Sequence, residues 1–139
     1  LKMFGCEVRV VGPRTLLPPA VDSLGVRVFD RLEDALEGAD VVMVLRIQRE
    51  RLAGALLPSL REYARTFGIG PAAIAHAKPD AIVMHPGPMN RGIEIDNIIA
   101  DGERSVILEQ VEAGVAVRMA LLYLFAGEAT EAPAVGEAD

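Results

Sequence analysis

Arg46 and Gln48 stand two residues apart at the end of an apolar run. In extended backbone, residues i and i+2 point to the same side. A guanidinium and an amide would then face one ligand. A guanidinium grips a carboxylate through two parallel hydrogen bonds, and the amide adds orientation. Arg49 and Arg51 raise the local positive potential. The alternative is that these arginines pair with Glu50 and other surface acids, since charge runs are usually solvated faces.

A second stretch reads His85-Pro86-Gly87-Pro88-Met89-Asn90-Arg91-Gly92. Its first two prolines fix φ and remove two N–H donors. The glycine between them lets a ligand approach the main chain closely. This leaves carbonyl acceptors, with a basic side chain, Arg91, close by. A rigid loop that binds nothing would use the same residues. His85 reads more readily as a structural histidine than as a catalytic one. Arg91 either pairs with Glu94 and shapes the loop or reaches substrate. His76 has no evident partner and falls on a surface helix. Two histidines without an acidic cluster at ligand spacing give no metal site.

Both stretches need strands to carry them. Ala81-Ile82-Val83-Met84 reads as a buried parallel strand leading into the proline loop. Asp40-Val41-Val42-Met43-Val44-Leu45 reads as a central strand covered on both faces, leading into Arg46. Earlier, Cys6 to Val11 and Val26 to Phe29 are strands, and Thr15 to Leu24 is a helix candidate. Leu1 to Phe4 looks like a helix tail capped by Gly5, so something is expected to precede this chain. Asp30 can cap a helix from Leu32 to Glu37, with Glu33 at the capping-box position. Glu50 to Phe67 is largely helical in composition, interrupted at Pro58. Pro71 to Ala77 makes a short helix with proline first. The interval from Gln48 to Lys78 is long and punctuated, a candidate for movement. Ile93 to Ala100 is a short helix or turn, and Ser105 to Ile107 a fifth, edge strand. Glu109 to Phe125 is the strongest helix signal. It is apolar nearly all round and therefore needs cover on more than one side. Residues 128–139 read as a loose tail. The order is that of an α/β fold, a doubly wound (Rossmann-like) parallel sheet of four to five strands with helices on both faces. No Gly-x-Gly-x-x-Gly follows the first strand, which argues against a dinucleotide site.

Composition narrows the class. The chain has 139 residues, 51% of them hydrophobic, enough for one globular domain with a core. A net charge of −6 argues against a nucleic-acid surface. The one cysteine, Cys6, excludes an internal disulfide and a cysteine-rich zinc site. No apolar stretch is long enough for a membrane span, and no signal-peptide pattern is present, so the expected location is cytoplasmic.

Taken in order, Leu45-Arg46-Ile47-Gln48-Arg49-Glu50-Arg51 and the His85 to Gly92 stretch resemble the C-terminal half of aspartate carbamoyltransferase catalytic chains. Each follows a strand, and a similar C-terminal helix comes after. The resemblance covers nearly the whole chain, with residues 1–127 as the L-aspartate-binding domain. It implies transfer of a carbamoyl group from carbamoyl phosphate to L-aspartate in pyrimidine synthesis, with no cofactor. By motif, Arg46 and Gln48 would hold the aspartate carboxylates. The main chain at Pro86, Gly87 and Pro88 would hold the carbamoyl nitrogen and the attacking amine. His85 would support them, and Arg91 is a further candidate.

The groups that bind phosphate and polarise the carbonyl belong, in that family, to an N-terminal domain. No Ser-Thr-Arg-Thr segment is present, and no histidine precedes residue 76. The resemblance therefore implies a fragment that is inactive alone, whose partners are that domain and, in the full-length enzyme, two further copies in a homotrimer. It also implies that the last helix packs on the missing domain. Two other readings stand. Ornithine carbamoyltransferases typically carry a cysteine in the proline loop and a Ser-Met-Gly segment. This chain has Pro86 at the cysteine's place and no Ser-Met-Gly. The other is a Rossmann-like binding module without catalysis, complete in itself.

Overall fold

The computed structural model describes residues 1–48 and 59–126. The expectations for Arg49, Glu50, Arg51 and Pro58, and for the tail at 128–139, fall outside the described residues. Among the described residues four short strands form two parallel pairs: β1 (Arg9–Val11) with β2 (Arg27–Phe29), and β3 (Val41–Met43) with β4 (Ile82–Met84). The register sets Val42 opposite Val83 and Met43 opposite Met84. The α/β class and the parallel pairing are as the sequence suggests. The single sheet of four to five strands is not what these residues form. Each strand is three residues long, and the two pairs are separate sheets.

The expected fifth strand is one bridge, Val83 to Ser105. There Val83 N–H donates to the Arg104 carbonyl and Val106 N–H to the Val83 carbonyl. The chain then leaves the sheet edge, because the Val106 carbonyl accepts from Gln110 N–H and starts helix α5 (Ile107–Ala126).

Two more expectations fail for local reasons. Thr15 to Leu24 is not one helix but two 3-10 turns, Arg14–Leu16 and Val21–Leu24. Pro18 pushes Leu17 before it into extended backbone at ψ 134, and Ala20 turns to φ 56. Asp30 does not cap α1 (Leu32–Leu36). Its N-cap is Arg31, without a side-chain bond, and both Asp30 oxygens accept from the Arg14 guanidinium. That cation holds the Asp30 carboxyl below its usual range.

Gly5 and Pro71 act as read. Gly5 closes the first 3-10 turn at φ 78. Pro71 opens α3 (Pro71–Ile74) at its first position. Helix α2 (Leu60–Phe67) starts at Ser59, whose hydroxyl accepts from Glu62 N–H at 3.1 Å. Asp96 caps α4 (Asn97–Ala100) in the same way through Ile98 N–H.

The core gathers Leu32 and Leu36 from α1, Val42 and Val44, Ile69, Ile74, Ala81, Val83, Ile95 and Ile107. β3 presents only one face to it. Val42 is 6% exposed, whereas Val41 and Met43 are 50% and 48% exposed. With Leu45 and Ile82 they form an open apolar sheet face. So the reading of β3 as covered on both faces is corrected: among the described residues only its Val42/Val44 side is packed. Helix α5 shows the same shortage. Only its first residue, Ile107, is buried, while Val115, Leu122 and Phe125 are exposed.

Candidate functional site

Parallel pairing of β3 and β4 brings their C-terminal ends side by side. Val44 N–H still donates to the Met84 carbonyl at 2.9 Å. Arg46 and Gln48 then leave one strand where His85 to Pro88 leave the next. The two motifs, about forty residues apart in sequence, therefore emerge at one edge, where parallel α/β sheets bind ligands. The alternation of β3 does not continue past it: Val42 and Val44 are buried, but beyond Leu45 it is Ile47 that is buried, with Arg46 half-buried and Gln48 exposed.

The proline loop is held by two hydrogen bonds. His85 N–H donates to Gln110 Oε1 of α5 at 2.9 Å. Gly87 N–H donates to His85 Nδ1 at 2.9 Å. Gly87 stands at φ 64, which its lack of a side chain permits. The Gly87–Pro88 peptide is cis. Among the described residues no donor is bonded to the carbonyls of Pro86, Gly87 or Pro88. The loop thus presents main-chain acceptors, with both prolines exposed and Gly87 half-buried.

His85 and Glu94 are fully buried side by side, Nε2 to Oε1 at 3.5 Å. Because Nδ1 accepts from Gly87, the proton of the neutral ring lies on Nε2, toward Glu94. Glu94 Oε1 accepts from Asn90 N–H in a short bond. Its Oε2 accepts from Asn90 Nδ2 at 3.2 Å, and the same Nδ2 donates to the Ile47 carbonyl at 3.2 Å. Burial and the Glu94 charge push the Tyr63 hydroxyl up to about 12. The expected Arg91–Glu94 pair does not form. Glu94 is turned inward, and Arg91 makes a two-pronged pair with Asp101 and a further bond to Asn97 Oδ1. His76 is exposed, as read.

Sequence reasoning passed over Asn90 and Gln110. An asparagine four residues before a buried glutamate was one available signal. A lone amide on the apolar helix α5 was another. A cleft lined by Arg9, Arg27, Phe29, Asp34 and Glu37 gathers none of the motif residues. Its arginines lie over the Phe29 ring and bond Glu7.

Burial pushes the His85 imidazole below its usual value, while the Glu94 charge and hydrogen bonding oppose this. A lowered histidine means the unfolded chain takes up the proton first. Stability is then full above about pH 6.5, the ordinary histidine value, and falls as pH drops below it. Charging must occur at Nδ1, which also breaks the Gly87 bond. Urea unfolding at pH 7.5 and 5.5 should show this loss in the wild type and a much smaller one in His85→Asn, which keeps an acceptor but cannot titrate. An equal loss in both would assign the pH dependence elsewhere.

The family model described as aspartate/ornithine carbamoyltransferase, Asp/Orn binding domain, matches residues 1–125. The chain belongs to the aspartate/ornithine carbamoyltransferase family. A relative from Sorangium cellulosum named aspartate carbamoyltransferase catalytic subunit is 69% identical over 137 residues, 99% of this chain and 43% of that one. A relative of the same name from Syntrophotalea carbinolica is 62% identical over 127 residues, 91% of this chain and 41% of that one. The chain therefore spans about two fifths of the length of the curated relatives it matches.

Among solved structures, an ornithine carbamoyltransferase from Pyrococcus furiosus matches with a TM-score of 0.74 at 25% identity, over 88% of this chain and 42% of that one. The aspartate transcarbamoylase from Trypanosoma cruzi, solved with carbamoyl phosphate and aspartate, matches with a TM-score of 0.66 at 27% identity, over 84% and 40%. The fold is thus shared by both branches of the family. The more similar sequences bear the aspartate name.

Proposed function

We propose that this chain is the L-aspartate-binding part of an aspartate carbamoyltransferase, which transfers the carbamoyl group of carbamoyl phosphate to the α-amine of aspartate in pyrimidine synthesis. The observation that carries this reading is the meeting of the Arg46–Gln48 segment with the His85–Pro88 loop at one end of the β3–β4 pair. Arg46 supplies a planar fork for a substrate carboxylate and Gln48 an orienting amide. The carbonyls of Pro86, Gly87 and Pro88 accept from the carbamoyl nitrogen and from the attacking amine. His85 holds the loop's shape rather than touching substrate. Arg91, engaged by Asp101, shapes the loop's far side.

The chemistry needs no cofactor in this reading. Amine attack on a polarised carbonyl depends on positioning and on stabilising the oxyanion, and the groups for the oxyanion and the phosphate come from the N-terminal domain. The isolated chain is accordingly inactive. In the assembled enzyme the two strand pairs and the Ser105 bridge join as one sheet, and full-length chains form a cytoplasmic homotrimer. An ornithine-type site is not favoured: relatives at 69% and 62% identity are named for aspartate, and a cationic fork suits a dicarboxylate.

The test is an assay of carbamoyl transfer by the chain alone, by the chain mixed with a separately made N-terminal domain, and by the full-length protein. Transfer to aspartate is expected in the last two and not in the first. Transfer to ornithine but not aspartate, or none from a folded full-length protein, would refute the reading.

A further inference from the structure

Asn90 is engaged on both its main chain and its side chain. Its N–H and its Nδ2 go to the two oxygens of Glu94, and the second Nδ2 proton goes to the Ile47 carbonyl. Both side-chain partners are acceptors, so the amide's orientation is fixed. Glu94 is 0% exposed and rests against His85, itself 0% exposed. Ile47 is 8% exposed and lies between Arg46 and Gln48. The chain of contacts thus runs from His85, at the head of the proline loop, through Glu94 and Asn90 to the peptide joining the two aspartate-site candidates. It spans 43 residues of sequence with one side-chain bond.

We propose that Asn90 is a positioning residue for the aspartate subsite, a clamp held rigid by Glu94 that sets the Arg46–Gln48 segment against the His85–Pro88 loop. The proposal rests on the function proposed above for its link to substrate. The Arg46 and Gln48 side chains spring from the peptides on either side of Ile47, so the direction of both follows the orientation of that backbone. In the direction of the next residues the segment has left the β3 ladder, whose last bond here is Val44 N–H to the Met84 carbonyl. Among the described residues the half-buried Asn90 amide is what holds the Ile47 carbonyl, and a shift of about 1 Å at a binding group can cost a hundredfold in rate. Glu94 binds Asn90 at two points, which leaves the amide one rotamer. Because Glu94 also faces His85, the two loops share one reference.

The test uses the full-length enzyme containing this chain, with Asn90→Ala and Asn90→Gln. Two readouts are taken. The first is amide hydrogen exchange at Leu45–Gln48 and at Ile82–Met84. The second is the KM for aspartate and for carbamoyl phosphate. Asn90→Ala should speed exchange at Leu45–Gln48 at least fivefold while Ile82–Met84 stays as in the wild type. It should raise the KM for aspartate about tenfold, the effect of losing one part-buried hydrogen bond, with the carbamoyl phosphate KM and kcat changed less than threefold. Asn90→Gln, which retains the amide on a longer arm, should recover part of both effects. Unchanged exchange at Leu45–Gln48, or an equal rise at both segments, would overturn the clamp, since the latter marks general loosening. Faster exchange with both KM values unaltered would overturn its role in the subsite. A wild type that transfers nothing to aspartate would fell the proposed function, while the exchange arm would still decide whether Asn90 orders the segment.

Discussion

Replacing Arg46 by alanine in the full-length enzyme is expected to lower kcat/KM for aspartate by about a hundred- to a thousandfold. A hydrogen bond to a charged group contributes about 1.5–3 kcal/mol, and a guanidinium fork makes two such bonds to one carboxylate. Non-additivity brings the joint loss to about 3–4 kcal/mol, and each 1.4 kcal/mol is a factor of ten. Arg46→Lys keeps the charge without the planar fork, so it should restore about tenfold. The KM for carbamoyl phosphate should change little, because in the proposed reading that ligand meets main-chain groups of the other loop. Steady-state kinetics with aspartate varied at saturating carbamoyl phosphate gives the answer. Wild-type use of aspartate by Arg46→Ala would remove Arg46 from the subsite. A drop that falls equally on both substrates would point to a disturbed fold instead.

The second large effect concerns stability. Glu94→Ala should destabilise the domain by about 3–5 kcal/mol, as measured by urea unfolding, the range for removing one partner of a buried polar pair. The change orphans two donors at once, Asn90 N–H and one proton of Asn90 Nδ2, and it removes the carboxylate that faces His85 Nε2 at 3.5 Å. Each buried donor left unsatisfied costs about 1–3 kcal/mol, and the space vacated adds to it. Against a total of about 5–15 kcal/mol for a small domain, this is a severe loss. Glu94→Gln keeps the shape and one acceptor and should lose less than half as much. Equal stability of Glu94→Ala and wild type would mean that water replaces the carboxylate and that the network does not hold the loop.

The placement of both motifs at strand ends was legible from sequence because it depends on short-range patterns. An apolar run, then a proline turn, tells where a strand stops. The Gly5 cap and the proline start of α3 were legible for the same reason. Thr15 to Leu24 was misread although its cause is local: Leu17 must be extended before Pro18, and two prolines in succession remove two donors. The covering of β3 was misread because an apolar run reports that burial is favourable, not what supplies it. Val41, Met43 and Leu45 have the composition of a covered face and remain open among the described residues. The distant partners of Asn90 and Gln110, the Ile47 carbonyl and His85 N–H, were beyond reach for another reason. They lie 43 and 25 residues away, and no periodicity encodes such pairs. Arg91 shows the converse. The nearby Glu94 looked like its partner, yet Asp101, ten residues on, takes it, because Glu94 lies on the inward side.

The open face of β3 and the bare length of α5 also set how this chain melts. The heat-capacity increment of unfolding and the slope of stability against urea both scale with the apolar surface newly exposed. Here Val41, Met43, Leu45, Val115, Leu122 and Phe125 meet solvent before unfolding begins. They add little to either quantity. The isolated chain should therefore have a shallow urea slope and a flat stability curve for its length, with a broad transition. Whatever surface comes to cover those side chains would raise both quantities together and sharpen the melt, so calorimetry would register the covering without any assay of chemistry.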